Sequence, residues 1–382
     1  MSARPTVAFV LNLLQDVNIV RMLIYLAARE FDADILVLAS SQFFKRDKSE
    51  RWARETEAIV ADTGAELVRF CGSDDLKEAY RGRCGIIFSA SESDFPGHHE
   101  THLAHRLAGK SFLRVTLQHG YECIGFMQNR EHVIAHGENV TFGADVIAAW
   151  ADPATLVSTV ASQRPKIAVT GPATLLQKTI PEGDHPPVKG GLVCENLHSV
   201  RLNASGSHGA SFLETFEAFC TELDREGRGV TLRPHPSGKY MRQNHLELLP
   251  NVTLNDLPVY RVDLSRYAYG ISAPSSVLLD MVLAGIPVAV WHDRAGIMDT
   301  RSYRGLTFVS GLQEWLAFER DARLHRERIL AEQLKPQLGR PTLSGTHEHG
   351  SPSSKRPFRC RRAYSDPRDF LSCAACGHDG ER

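Results

Sequence analysis

The 382-residue sequence predicts an α/β chain with two parallel-sheet domains in tandem and a disordered C-terminal tail. Short apolar runs of strand length alternate with amphipathic stretches almost from the first residue, the rhythm of strands connected by covering helices. The rhythm breaks at a connector rich in Pro, Gly and charge, PEGDHPPVKGG (181–191), and then restarts. Hydrophobic residues at 42% and charged residues at 23% describe an ordinary globular chain, long enough for two cores.

The first domain, 1–180, opens with TVAFVL (6–11) as a strand. The N-terminal stretch MSARPTVAFVLNLLQDVNIV has one Arg before its apolar run, lacks a small-residue cleavage site and is broken by Asn12 and Asp16. It therefore reads as a strand and its loop, not as a signal peptide. An amphipathic helix around 20–30 follows, then ADILVLAS (33–40), a charged helix over 48–62, AELVRF (65–70) and CGIIFSAS (84–91). A helix near 99–109, FLRVTLQ (112–118), ADVIAAW (144–150) and a last short strand KIAVTG (166–171) complete it. After a linker at 181–190, the second domain spans 191–339. Its elements are GLVCEN (191–196), a helix at 211–225, GVTLRP (229–234), a weaker segment near 252–265, YAYGISA (267–273), a helix at 275–284 and PVAVW (287–291). One long closing helix is expected over 312–334, and the Ser, Pro, His, Arg and Cys of 340–382 predict disorder.

A formal net charge of -1 gives no overall field toward nucleic acid or anionic lipid, so no nucleic-acid partner is expected. No run of about 18 apolar residues is present. Cys71, Cys84, Cys123, Cys194 and Cys220 are scattered without pairing rhythm, as reduced thiols of a cytoplasmic protein are.

Two stretches carry chemistry. In 230-VTLRPHPSGKY-240, His235 stands between two prolines that stiffen its backbone, with Arg233 and Lys239 nearby. That setting suits an anion, or else a turn histidine bonded to a carbonyl. In 272-SAPSSVLLDMVLAGIPVAVW-291 a strand ends, Ser275 and Ser276 stand at the turn, and a helix starts, with Gly285 as its stop. Hydroxyls at a helix start either bind phosphate or cap the helix. Asp280, four residues after Ser276, falls on the same helix face, to meet a ribose hydroxyl or to stand as a plain first-turn carboxylate. Both stretches follow strands of one sheet, at the carboxyl edge where open α/β sheets bind ligands.

A His-Pro element (His235, Pro236) after one strand and a Ser-Ser element (Ser275, Ser276) opening a later helix resemble the donor site of GT-B glycosyltransferases. These have two Rossmann-like domains facing a cleft. The resemblance is closest to transferases of CMP-activated acids, the bacterial sialyltransferases and the Kdo (3-deoxy-manno-octulosonic acid) transferases of surface polysaccharide assembly. It implies that His235 contacts the CMP portion and that Ser275 and Ser276 hold the phosphate. It also implies a nucleotide-sugar donor, a glycan or lipid-linked acceptor and no cofactor. The family's acidic motif ending in glycine has no clean copy here, so the base is sought in loops at the strand ends. Asp94, with Glu92 and His98, comes from SASESDFPGHH (89–99); His119 from RVTLQHGYECIGF (114–126); Glu195, with Asn196, His198 and Arg201, from LVCENLHSVR (192–201). His119-Gly120 also resembles the CDP-glycerol and CDP-ribitol polymer transferases, the alternative enzyme reading. A non-catalytic nucleotide- or glycan-binding module of the same fold is the alternative from another class.

A phosphate monoester leaving group departs once its charge is stabilised, so this chemistry needs no divalent metal. One residue must take the acceptor hydroxyl's proton, and Arg233, Lys239 and Arg201 are the cations to meet a donor carboxylate. HHETHLAH (98–105) spaces His98, His102 and His105 at helical turns without forming His-Glu-x-x-His, and no metal site is assigned to it. Cys360, Cys373, Cys376 and His378 offer four zinc ligands with unequal arms, and no zinc site is assigned there either. KRPFRCRR (355–362) suits either peripheral contact with an anionic membrane surface or a solvated basic tail.

Overall fold

The computed structural model describes residues 4–120, 123, 125–126, 139–150, 152–156, 159–176, 190–196, 206–236, 247–293 and 300–338. The tail 340–382, Lys239, His198 and Arg201 lie outside the described residues.

Seven strands form the first sheet: β1 (Thr6–Leu11), β2 (Asp34–Ser40), β3 (Glu66–Phe70), β4 (Gly85–Ser89), β5 (Phe112–Leu117), β6 (Val146–Ala149) and β7 (Ile167–Val169). Their order is β3-β2-β1-β4-β5-β6-β7 and every pairing is parallel. β1 is buried along its whole length, which is why TVAFVL reads as a continuous apolar run and not as an alternating one. Helices α1 (Asp16–Glu30), α2 (Ser41–Arg46), α3 (Arg51–Thr63), α4 (Ser73–Tyr80) and α5 (His99–Ala108) connect and cover it. Separate cores lie on the two faces: Phe9, Val20, Ile24 and Trp52 on one, Val10, Leu76, Ala104 and Phe112 on the other.

The second sheet contains β8 (Gly191–Cys194), β9 (Val230–Arg233), β10 (Val252–Leu254), β11 (Gly270–Ser272), β12 (Val288–Trp291) and β13 (Thr307–Val309). It is again all parallel, in the order β10-β9-β8-β11-β12-β13. α6 (Gly206–Arg225), α7 (Val277–Leu283), α8 (Leu312–Leu324) and α9 (Arg326–Leu338) pack on it. An aromatic group of Phe212, Phe219, Trp291 and Trp315 fills one face, with ring centroids 5.2–5.6 Å apart.

Three differences from expectation have physical causes. The closing segment is two helices and not one, because the chain breaks at His325 (φ -130°, ψ 35°). Just past that break the Arg326 guanidinium donates to the carbonyls of Tyr267, Ala268 and Gly285, fastening the turn to the sheet. α2, α4 and β13 are additional elements, each too short for a convincing period. The weak segment at 252–265 is a three-residue strand followed by two single turns of 3-10 helix.

The domains meet through charged and aromatic side chains. Arg51, first residue of α3, donates to Asp256 Oδ1 at 2.5 Å and to its carbonyl at 2.6 Å. Glu55 accepts from Tyr260 Oη at 3.0 Å and from Arg261 Nη2 at 3.0 Å. Arg21 of α1 stacks over the Tyr260 ring at 4.6 Å. Asp256 follows β10 and Arg51 lies beyond β2, so carboxyl-end loops of both sheets meet at one cleft.

Candidate functional site

Because all strands of the second sheet run parallel, the loops after them lie on one edge. The strand order reverses between β8 and β11, which creates the crevice where such sheets take ligands. Three adjacent strands, β9, β8 and β11, deliver Pro234–His235–Pro236, Glu195–Asn196 and Ala273–Ser276 to that crevice. Their loops are tied together. The Glu195 amide donates to the Arg233 carbonyl at 2.9 Å, and Asn196 Nδ2 donates to the Pro274 carbonyl. Asn196 Oδ1 is buried with no hydrogen-bond partner among the described residues. His235, Pro236, Ser275, Ser276 and Asp280 are half-buried, while Glu195 is 2% exposed.

Ser276 holds the N-cap position of α7 but its side chain makes no cap bond, and Ser275 Oγ receives the Val277 amide only at 3.4 Å. Capping therefore uses these hydroxyls weakly. At the other end Gly285, at φ +76°, closes the helix, with its amide on the Val282 carbonyl at 3.0 Å.

Arg233 corrects the sequence reading. It is 6% exposed, and its Nη1 donates to the Leu257 carbonyl, so the guanidinium braces the loop after β10 instead of meeting a donor carboxylate. Burial lowers its proton affinity, opposed at neutral pH by the Asp280 and Asp256 carboxylates. The buried Cys194 thiol is pushed up to about 12, mainly by burial, and stays protonated at neutral pH.

On the first sheet the reversal falls between β1 and β4, and a polar network occupies it. Asp16, fully buried at the start of α1, accepts from the amides of Asn12 (2.8 Å) and Leu13 (2.7 Å) and from Ser91 Oγ (2.6 Å). Burial raises its proton affinity, and these bonds together with the charge of His119 pull it back. Arg46 Nη1 donates to the Asn12 carbonyl at 2.7 Å, and Ser40 Oγ donates to Asn12 Oδ1 at 2.9 Å. His119, directly past β5, has Nδ1 2.6 Å from the Ala90 carbonyl, so Nδ1 carries the hydrogen. Burial opposes a charge on His119, but Cys123, Asp16 and the Ala90 carbonyl outweigh it, and the ring is pushed up to about 9.

The other candidates, from the 89–99 loop and the helix after it, have partners within the first domain. Asp94 clasps Thr141, accepting from its amide at 2.9 Å and its hydroxyl at 2.7 Å. The buried Glu92 accepts from the Gly143 amide at 2.8 Å and pairs with His102 Nδ1 at 2.7 Å. His98 bonds Ser93 Oγ at 2.7 Å and His105 bonds Ser89 Oγ at 2.9 Å, while the His105 Nδ1 lies 3.9 Å from the other oxygen of Glu92, so His102 and His105 share that carboxylate and His98 turns away from it. Among the described residues no group of three His, Cys, Asp or Glu could hold a metal ion, and no helix is long and apolar enough to cross a membrane.

Asn12, Asp16, Arg46 and Ser91 were not singled out by the sequence reading. Two polar residues interrupting an apolar run immediately after β1 were the available signal, and they were used there only against a signal peptide.

No family model matches this chain, and no curated protein sequence matches it. Solved structures do. The S. aureus MnaA–UDP co-structure aligns with a TM-score of 0.58 at 11% identity, covering 86% of this chain and 90% of that one. The UDP-GlcNAc 2-epimerase of Methanocaldococcus jannaschii, in complex with UDP-GlcNAc and UDP, aligns at 0.55 and 8% identity, covering 87% and 99%. The glycotransferase of kitacinnamycin aligns at 0.53 and 12% identity, covering 88% and 96%. At such identities the likeness is one of fold, and the fold is GT-B: two parallel-sheet domains facing a cleft.

Proposed function

We propose that this chain is a sugar-modifying enzyme that binds a nucleotide sugar at the carboxyl edge of its second sheet. The observation that carries the reading is the convergence of Asn196, His235, Ser275 and Ser276 from three adjacent strands at the point where strand order reverses. Hydroxyls little used for capping, with an imidazole on a proline-stiffened backbone, supply donors for phosphate oxygens. Asp280, one turn into α7, is the group for a ribose hydroxyl.

The finer reading is transfer of a Kdo- or sialic-acid-like sugar from a CMP-linked donor to a glycan or lipid-linked acceptor. It rests on the His-Pro and Ser-Ser pattern. Of the three residues considered for the acceptor's proton, Asp94 holds Thr141 and His119 favours its charged form, while Glu195 borders the donor crevice. A second reading, use of a UDP-sugar, is favoured by the UDP and UDP-GlcNAc named for the MnaA and M. jannaschii structures.

Thermal unfolding with millimolar CMP, CDP, UDP and GDP, with and without EDTA, separates these readings. A ligand at about 100 times its dissociation constant adds about 2.7 kcal/mol to stability. Stabilisation by CMP that is indifferent to EDTA is the expected result. Preference for UDP moves the chain to the UDP-sugar enzymes, and preference for CDP to the glycerol and ribitol transferases. No response to any nucleotide rejects the site.

A further inference from the structure

Asp16 is the most enclosed charged group of the first sheet's crevice, and the nucleotide reading gives it no task. A carboxylate without solvent costs several kcal/mol unless donors and cations surround it. Three neutral donors reach it: the amides of Asn12 and Leu13 and the hydroxyl of Ser91. The bond to Ser91 crosses from the β1 loop to the β4 loop, and the neighbouring residue, Ala90, holds His119 Nδ1 through its carbonyl. Two hydrogen bonds, joined covalently through the Ala90–Ser91 backbone, thus link the ends of β1, β4 and β5, which are adjacent in the sheet.

We propose that Asp16 is a positioning residue for His119, acting through Ser91 and the Ala90 carbonyl, and that His119 serves the cleft as a fixed cation for an anionic oxygen of the ligand, not as a proton acceptor. The role of that anion rests on the nucleotide-sugar reading; the linkage of Asp16 to His119 does not. Among the described residues the charged and titratable groups around this path include Asp16 from α1, Arg46 from α2, Glu100 from α5, which acts on Arg46, and Cys123 beyond β5, whose Sγ donates to the Gly120 carbonyl at 3.0 Å. Beside the fixed bond from Nδ1 to the Ala90 carbonyl, the ring is pushed up to about 9 against burial, by Cys123 first and then by Asp16 and that carbonyl. A phosphate or a sugar carboxylate is the ligand oxygen such a cation fits.

The test is an NMR titration of the histidine rings in the full chain, read as midpoint and as tautomer of the neutral form. In the unaltered protein His119 is expected to titrate well above 6.5 with its hydrogen on Nδ1. Asp16→Asn should lower the midpoint by about one pH unit, a tenfold loss of proton affinity. Ser91→Ala, which removes one oxygen and leaves the α1 start intact, should lower it less and move the tautomer toward Nε2-H. Should Asp16→Asn fail to fold, Ser91→Ala carries the test. Midpoint and tautomer unchanged in the folded variants, with the shift lost only in Cys123→Ser, overturn the proposal. Inorganic phosphate and acetate at pH 7 are the ligand probes. Movement of the His119 resonance with phosphate assigns a phosphate, movement with acetate a carboxylate, and movement with neither rejects the cationic role. Nucleotide stabilisation is read separately, so failure here leaves the donor site standing, and the reverse.

Discussion

Asn196 ties the loop after β8 to the loop after β11: its Nδ2 holds the Pro274 carbonyl while its buried Oδ1 has no hydrogen bond among the described residues. A buried acceptor of this kind costs about 1–3 kcal/mol until a donor arrives, and a ribose hydroxyl is such a donor. Asn196→Ala is therefore expected to weaken nucleotide binding by about 1–3 kcal/mol in calorimetric titration. His235→Ala and Ser276→Ala should each lose a similar amount, about 1–3 kcal/mol, and unchanged affinity in both would move the phosphate elsewhere. Two histidines of the first domain set a pH dependence of opposite sign. Burial holds His105 down to about 4 against an unfolded 6.5, so the unfolded chain binds the extra proton and stability falls as pH drops from 6.5 to 4. The full effect is about 3 kcal/mol. His119, pushed up to about 9, contributes stability that is complete below 6.5 and is lost as pH rises through 9. Chemical denaturation across pH should peak near 6.5, and His105→Gln, which can keep the bond to Ser89, should flatten the acid limb. An acid limb as steep in that variant would assign the acid loss to other groups.

At the scale of elements, the strands were legible because parallel strands buried on both faces read as unbroken apolar runs: TVAFVL, DILVLAS and VAVW stand where expected. The edges of the second sheet were not, since β10 and β13 are three residues each with partly exposed side chains. The placement of residues 234–236 and 273–276 at the carboxyl edge was legible for a related reason: a strand-length apolar run ending in Pro, His or Ser marks a strand end, and all strands of the sheet run parallel. Arg233 was misjudged because a sequence shows a charge but not the direction of its guanidinium, here the Leu257 carbonyl. The first-domain network was missed because Asp16 and Ser91 are 75 residues apart and meet only through the order β1-β4. Element packing also sets a limit on substitution. A Cβ at Gly191 would lie 2.1 Å from Tyr269 Cε2, and Tyr269 is fully buried among aromatic neighbours. Gly191→Ala should destabilise by about 1–3 kcal/mol through overpacking, read as a lowered denaturant midpoint. Because β8 leads directly into Glu195 and Asn196, the same variant should weaken nucleotide binding; full affinity would mean that the crevice tolerates a displaced strand.

At the scale of the whole molecule, the contact between domains is built from side chains that salt and substitution can reach. Arg51–Asp256, the Glu55 bonds to Tyr260 and Arg261, and Arg21 over Tyr260 are part-buried or exposed, and the large apolar clusters each stay within one domain. Each exposed ion pair is worth about 0–1 kcal/mol, and the charged ones weaken as salt screens them. An interface of that kind holds a cleft without locking it, so relative motion of its two walls is the expectation. Arg51→Ala combined with Glu55→Gln should therefore open the molecule. Small-angle scattering should give a larger radius of gyration for the double variant, and the unaltered protein should approach it at high salt. Nucleotide affinity should change little, because Asn196, His235, Ser275 and Ser276 all belong to the second domain. Turnover on an identified donor should fall, since His119 stands on the opposite wall. A radius unchanged by both salt and substitution would mean that apolar contact around Tyr260 holds the domains, and that closure is not governed by these charges.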